Sequence, residues 1–76
     1  MPRLTPVHWK TLECIFEKFG FKFKRETKHR CYEKEGVLRP VIIPRYNEVS
    51  VDIIRSNMRT AKMSREEYFR LLELCK

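Results

Sequence analysis

The spacing of apolar residues changes several times along the chain, and each change marks an element. Trp9, Leu12, Ile15, Phe16 and Phe19 recur at three- and four-residue intervals, which gives a helix with one apolar face. Lys10, Glu13 and Glu17 fall on its other side. Thr5-Pro6 predicts the start of this helix, because Thr5 can accept from the orphan N–H groups and Pro6 suits the first helical position. Gly20 predicts its end as a left-handed cap. Phe21-Lys22-Phe23-Lys24 then alternates strictly, as a half-buried strand does, with both Phe toward the core and both Lys toward solvent or a ligand. After the polar joint Glu26-Thr27-Lys28, a second strand is predicted from His29 to Glu33, followed by a turn at Lys34-Glu35-Gly36. A third run, Val37 to Ile43, is rich in β-branched residues. Pro40 cannot donate to a ladder, so this strand belongs at an edge or carries a bulge.

Pro44 to Glu48 reads as a connection, after which Ser50 or a neighbour opens a second helix that buries Ile53, Ile54, Met58 and Ala61. Ser64-Arg65-Glu66-Glu67 matches a capping box and starts a last helix. Phe69 and Leu72 are expected inside it, with Tyr68 and Leu71 partly covered. There are no internal repeats and no low-complexity segment. Short connections between these elements predict a small α+β domain: helix, three-stranded antiparallel sheet, helix, helix. The helices are expected on one face of the sheet, leaving the other open to a partner.

With 76 residues the chain has room for one domain, 1–76, and none for a dinucleotide-binding unit or a barrel. No apolar stretch approaches the ~20 residues that span a bilayer, and the first residues form no apolar leader. Lys and Arg number 17 against 10 Asp and Glu, a net charge of +7, which favours polyanions and nucleic acid first among them. Cys14, Cys31 and Cys75 form no C-x-x-C pair and are odd in number. They are expected as free thiols, small apolar side chains in a reducing cytoplasm.

Between Lys22 and Arg30 lie Lys22, Lys24, Arg25, Lys28 and Arg30, with Glu26 as the sole acid. Phosphate neutralisation is one reading of this cluster, and a solvated strand face is the other. Arg55, Arg59 and Lys62 give a second basic row on the outer side of the second helix, open to the same two readings. His29 is the residue that points to catalysis. An imidazole changes charge near neutral pH and can take a proton from a ribose 2′-hydroxyl. Lys28 and Arg30 on either side would disfavour the imidazolium and steady charge on a phosphorane. A lone strand histidine is more often structural, and His8 reads as a surface or capping residue. His29 and Cys31 have no third ligand at a recognisable spacing, and the acids form no cluster, so no metal or cofactor is expected.

Several segments carry a family resemblance: Leu12 to Phe21 (LECIFEKFGF), Thr27-Lys28-His29, Val41-Ile42-Ile43-Pro44, and the tail from Ile53 to Leu72. In order and spacing the chain resembles the HicA (YcfA-like) family, the mRNA-interferase toxins of bacterial HicA–HicB toxin–antitoxin pairs. The resemblance implies a fold similar to a double-stranded-RNA-binding domain and metal-independent RNA endonuclease activity. It implies His29 as general base, a HicB-like antitoxin protein as partner, and no membrane or small-molecule cofactor. The RNA-binding set becomes Lys22, Lys24, Lys28, Arg30, Arg45 and Tyr46. Two positions depart from the family pattern. Thr27-Lys28 replaces the Gly-Ser before the histidine, and Tyr46 replaces a histidine after the strand-ending proline. A phenol titrates near ~10 and is a poor acid–base group at neutral pH. The alternatives are therefore a catalytically weak RNA- or antitoxin-binding module on the same fold, and a partner-binding domain whose basicity serves solubility.

Overall fold

The apolar stripe through Leu12, Ile15 and Phe16 becomes α1, Trp9–Lys18, in a computed structural model that describes residues 3–75. All three side chains are fully buried. The helix starts later than Thr5-Pro6 predicts. Val7 exchanges backbone hydrogen bonds with Val49, at 3.3 and 2.7 Å, which holds this segment extended. His8 is the cap instead, its Nδ1 accepting the Lys10 N–H at 3.1 Å. Gly20 closes the helix as expected, at φ +114°. A Cβ there would stand 3.1 Å from Lys34 Cε, in a backbone region that side chains avoid.

Three antiparallel strands follow, β1 (Lys22–Glu26), β2 (Arg30–Glu33) and β3 (Val41–Ile43), with β2 in the centre. Lys22 and Phe23 pair with Glu33 and Tyr32, but Arg25 and Glu26 pair with Cys31 and Arg30. Lys24 is the extra residue of a bulge, and the strict alternation of the sequence ends there. Phe21 is buried as expected, whereas Phe23 is 44% exposed. The third strand is shorter than the run from Val37 predicts, beginning just after Pro40. It lies at an edge, as its proline requires.

α2 (Val51–Ala61) closes that edge. It starts at Ser50, whose hydroxyl accepts the Ile53 N–H, and its Asn57 amide donates to the Ile42 carbonyl at 2.8 Å. Asn57 is buried on the face expected to hold Ile53, which is only half-buried. The helix ends at Lys62 in the left-handed conformation, φ 57°. α3 (Arg65–Leu74) begins with the complete capping box of Ser64 and Glu67, with bonds of 3.1 and 3.0 Å. Its apolar phase is one residue from the expected one: Tyr68 and Leu71 are buried, Phe69 and Leu72 half-buried. Adjacent apolar pairs leave this phase undecided in the sequence, and packing of α3 against α1 decides it.

The same packing corrects the thiol expectation. Cys14 and Cys75, 61 positions apart in sequence, form a disulfide with Cα atoms 5.9 Å apart. Cys31 alone remains a thiol. The cysteines therefore no longer argue for a reducing compartment. No helix among the described residues is long and apolar enough to cross a membrane. The order helix, sheet, helix, helix is the α+β arrangement the periodicities predict. Its core joins Leu12, Ile15 and Phe16 to Tyr32, Val41 and Ile43 of the sheet and to Ile54 and Tyr68 of the later helices.

Candidate nucleic-acid interface

His29 sits at the end of the turn between β1 and β2, closed by a Thr27 N–H bond to the His29 carbonyl at 3.2 Å. The residue is half-buried. The Tyr46 ring lies 6.2 Å away with its plane at 82° to the imidazole. Tyr46 is held from both sides of its backbone: its N–H bonds the Pro44 carbonyl at 2.9 Å, and its carbonyl accepts the Trp9 N–H at 3.2 Å. That leaves the phenol ring free to stand 50% exposed. Together the two rings form one end of an open groove of about 560 Å³. Ile42 and Pro44 line it from the strand side, Asp52, Ser56 and Thr60 from α2.

The cations of the sequence cluster are not brought together. Lys28 is exposed beside His29 and makes no ion pair among the described residues. Arg30 turns beneath the sheet. Its Nη2 and Nε lie 3.0 and 3.1 Å from Glu13 Oε2, its Nη1 3.2 Å from Glu26, and its Nε 2.9 Å from the Tyr32 hydroxyl. The guanidinium carbon lies 4.1 Å from the centre of the Phe23 ring and 5.4 Å from that of Trp9. Each of its three nitrogens thus faces a protein partner, and its charge is shared with two carboxylates, whatever its place beside His29 in sequence. The bulge explains why. It brings Phe23 and Glu26 opposite Tyr32 and Arg30, on the side where α1 supplies Glu13.

Within this cluster the Tyr32 hydroxyl is bonded to Glu13 as well as to Arg30. Burial, followed by the Glu13 carboxylate, pushes the Tyr32 phenol well above its ordinary value, so it stays a donor across the physiological range. The Arg30 guanidinium is shifted further upward, first by its bond to Tyr32.

Arg45 joins the edge of the same cluster, 3.3 Å from Glu26 and 5.1 Å from the Trp9 ring, yet its side chain remains 56% exposed. It is adjacent to Tyr46 in sequence and shares its charge between Glu26 and solvent. Lys22 and Lys24 are exposed on β1 and line a different hollow, beside Arg39. Of the expected set, then, the structure gathers His29 and Tyr46, leaves Lys28 exposed next to His29 in sequence and outside the groove lining, keeps Arg45 next to Tyr46, and separates Lys22, Lys24 and Arg30.

One cation escaped the sequence reading. Arg39 lines the groove with His29, and also the two hollows that adjoin it. It stands between Leu38 and Pro40, outside any charge run or alternation, so nothing local marks it. Among the described residues no three metal-ligating side chains cluster. No protein-family model, no curated protein and no solved structure matches this chain.

Proposed function

We propose that this chain is a metal-independent endoribonuclease of the HicA type, with His29 as general base and a HicB-like antitoxin protein as its inhibitor. The observation that carries this reading is the His29 imidazole set against the Tyr46 ring in the lining of an open groove. His29 takes the proton of a ribose 2′-hydroxyl, and the 2′-oxygen attacks the adjacent phosphorus. The bond from phosphorus to the 5′-oxygen breaks, and that oxygen takes a proton from solvent. The products carry a 2′,3′-cyclic phosphate and a 5′-hydroxyl. Lys28 and the exposed part of Arg45 offset charge on the phosphorane, and the Tyr46 hydroxyl donates to a phosphate oxygen. The reading implies a cytoplasmic protein, since mRNA is the substrate.

The test is incubation of the protein with mRNA in chelator, wild type beside His29→Ala, with the ends mapped. Cyclic-phosphate ends from wild type and none from His29→Ala are expected. Cleavage by His29→Ala at the wild-type rate removes the mechanism.

A second reading has its own observation. Because Arg30 is held by Glu13 and Glu26, Lys28 is the one cation adjacent to His29 in sequence that has no ion pair among the described residues. A module that binds RNA or antitoxin without cleaving fits that reduced charge. It gives salt-dependent RNA binding and no cleavage at any pH.

A further inference from the structure

The groove has a direction. β3 and α2 form its sides, joined midway by the bond from Asn57 to the Ile42 carbonyl. His29 precedes Arg30, which pairs with Ile43, so the imidazole and Tyr46 mark the end near Pro44. Arg39 and Thr60 mark the other, because the same two residues also line the next hollow with Lys62. Along α2, Asp52, Ser56 and Thr60 follow at four-residue steps, a wall of roughly 12 Å at ~1.5 Å per residue.

Its lining mixes apolar and polar groups. Pro40, Ile42, Pro44 and, from α2, Ile53 are apolar, the Tyr46 ring is exposed, and the rest of the α2 wall offers a carboxylate, two hydroxyls and the Asn57 amide. Bases stack on apolar and aromatic surface and present donors to a carboxylate; phosphates do neither. Arg39 is exposed and has no carboxylate partner among the described residues. Beyond it one adjoining hollow carries Lys62 and no acid, while the other sets Lys22, Lys24 and Lys34 beside Glu33 and Glu35. Arg39 and Lys62 thus stand where a strand leaves the groove, and stacking surface where it lies inside.

We propose that the groove between β3 and α2 holds RNA as a single strand, bases inward, with Arg39 gripping a phosphate at the end opposite His29. The proposal deepens the nuclease reading and rests on it for the identity of the cleavage end. A duplex does not fit this chemistry, because its paired and stacked bases cannot reach Ile42, Pro44 or the face of Tyr46. The double-stranded-RNA-binding resemblance of the fold therefore does not extend to the form of substrate. Arg39 is a binding residue and makes no contact with the reacting atoms.

Binding is measured with 2′-O-methyl oligoribonucleotides, which cannot be cleaved, as single strands of increasing length and as duplexes. Wild type is expected to bind single strands more tightly than duplex, with affinity rising until the strand passes Arg39. Arg39→Ala weakens the longer strands several-fold and leaves dinucleotide binding unchanged. It also lowers the slope of log affinity against log salt by about 0.7, the loss of one single-strand phosphate contact. Arg39→Lys restores the slope. Circular dichroism of Arg39→Ala is expected to match wild type, since the side chain is exposed. An unchanged slope in Arg39→Ala, tighter binding of duplex, or no binding by wild type overturns the proposal. Wild type that binds single strands with the Arg39-dependent slope but never cleaves RNA overturns the nuclease reading and supports the groove.

Discussion

The Glu13 carboxylate of α1 and the Arg30 guanidinium of β2 meet at 3.0 Å, with the Tyr32 hydroxyl bonded to both. Both charged side chains are only 20% exposed. This contact ties the first helix to the residue that follows His29, so it fixes the strand end from which the imidazole projects.

Removing Glu13 takes away the acceptor of the Tyr32 hydroxyl and one of the two carboxylates of Arg30, in a poorly solvated place. Glu13→Ala is expected to cost about 2–3 kcal/mol in urea denaturation, because the phenol loses its acceptor and the guanidinium keeps only Glu26. Glu13→Gln, which keeps an acceptor, costs less. Equal losses for the two variants would show that side-chain volume matters here and charge does not.

Asn57 closes an edge that a three-residue strand leaves open. Asn57→Leu keeps the volume but leaves the Ile42 carbonyl without its donor, at an expected cost of about 1–3 kcal/mol. Hydrogen exchange should show faster opening around β3 in that variant. Wild-type stability in Asn57→Leu would assign the carbonyl to water and the amide to no structural role.

The Cys14–Cys75 bond closes a loop of 61 positions. Chain entropy alone gives such a closure about 4 kcal/mol, so reductant or Cys75→Ser is expected to lower the melting temperature markedly. Cys31→Ser should not. Three titratable thiols in the folded, non-reduced protein would remove the pairing. Neither cysteine lines the groove of His29, Tyr46 and Arg39, so RNA binding by reduced protein that is still folded is expected to match that of oxidised protein.

Bonds from the Ser64 backbone and hydroxyl region hold the Glu67 carboxyl below its ordinary value of 4.5. Between the folded and unfolded values the unfolded chain binds more protons, so stability rises with pH there. The contribution is complete above the unfolded value and disappears as pH falls through the folded one. Helical signal from α3 is expected to fray on acidification, and Glu67→Gln, which keeps the reciprocal acceptor, should lose that pH dependence. The same acid profile in Glu67→Gln would place the titrating group elsewhere.

Tyr68 is 1% exposed and its hydroxyl has no hydrogen-bond partner among the described residues. Burial pushes its phenol up to about 12. Tyr68→Phe removes an unsatisfied polar group and little else, so a gain of about 1 kcal/mol is expected. A loss of similar size would reveal a partner for the hydroxyl, such as a buried water.

What the sequence made legible was local. Ser50 and the Ser64–Glu67 box mark their helix starts with side-chain chemistry that acts within three residues. The strength of Thr5-Pro6 misled because Val49, far along the chain, claims Val7 first. The Tyr68-Phe69 and Leu71-Leu72 pairs offer α3 two apolar faces, and only α1 selects between them. At the candidate site, His29 and Tyr46 were readable by residue type and by resemblance. Arg30 was not, because the bulge at Lys24 decides which side of the sheet holds its partners. Arg39 needed the β2–β3 loop and α2 to meet, which no spacing within either segment records.

The bulge has one more effect, on how copies of this chain behave in a crowded solution. β1 is an outer strand whose five residues are all exposed, a ready template for another molecule's strand. The misfit at Lys24 breaks the regular register of that rim, and Lys22, Lys24 and Arg25 set like charges along it, the two devices by which an edge discourages pairing with another molecule. On a small basic protein with an uncovered sheet margin, a single surplus residue thus sets a local obstacle to strand-on-strand pairing.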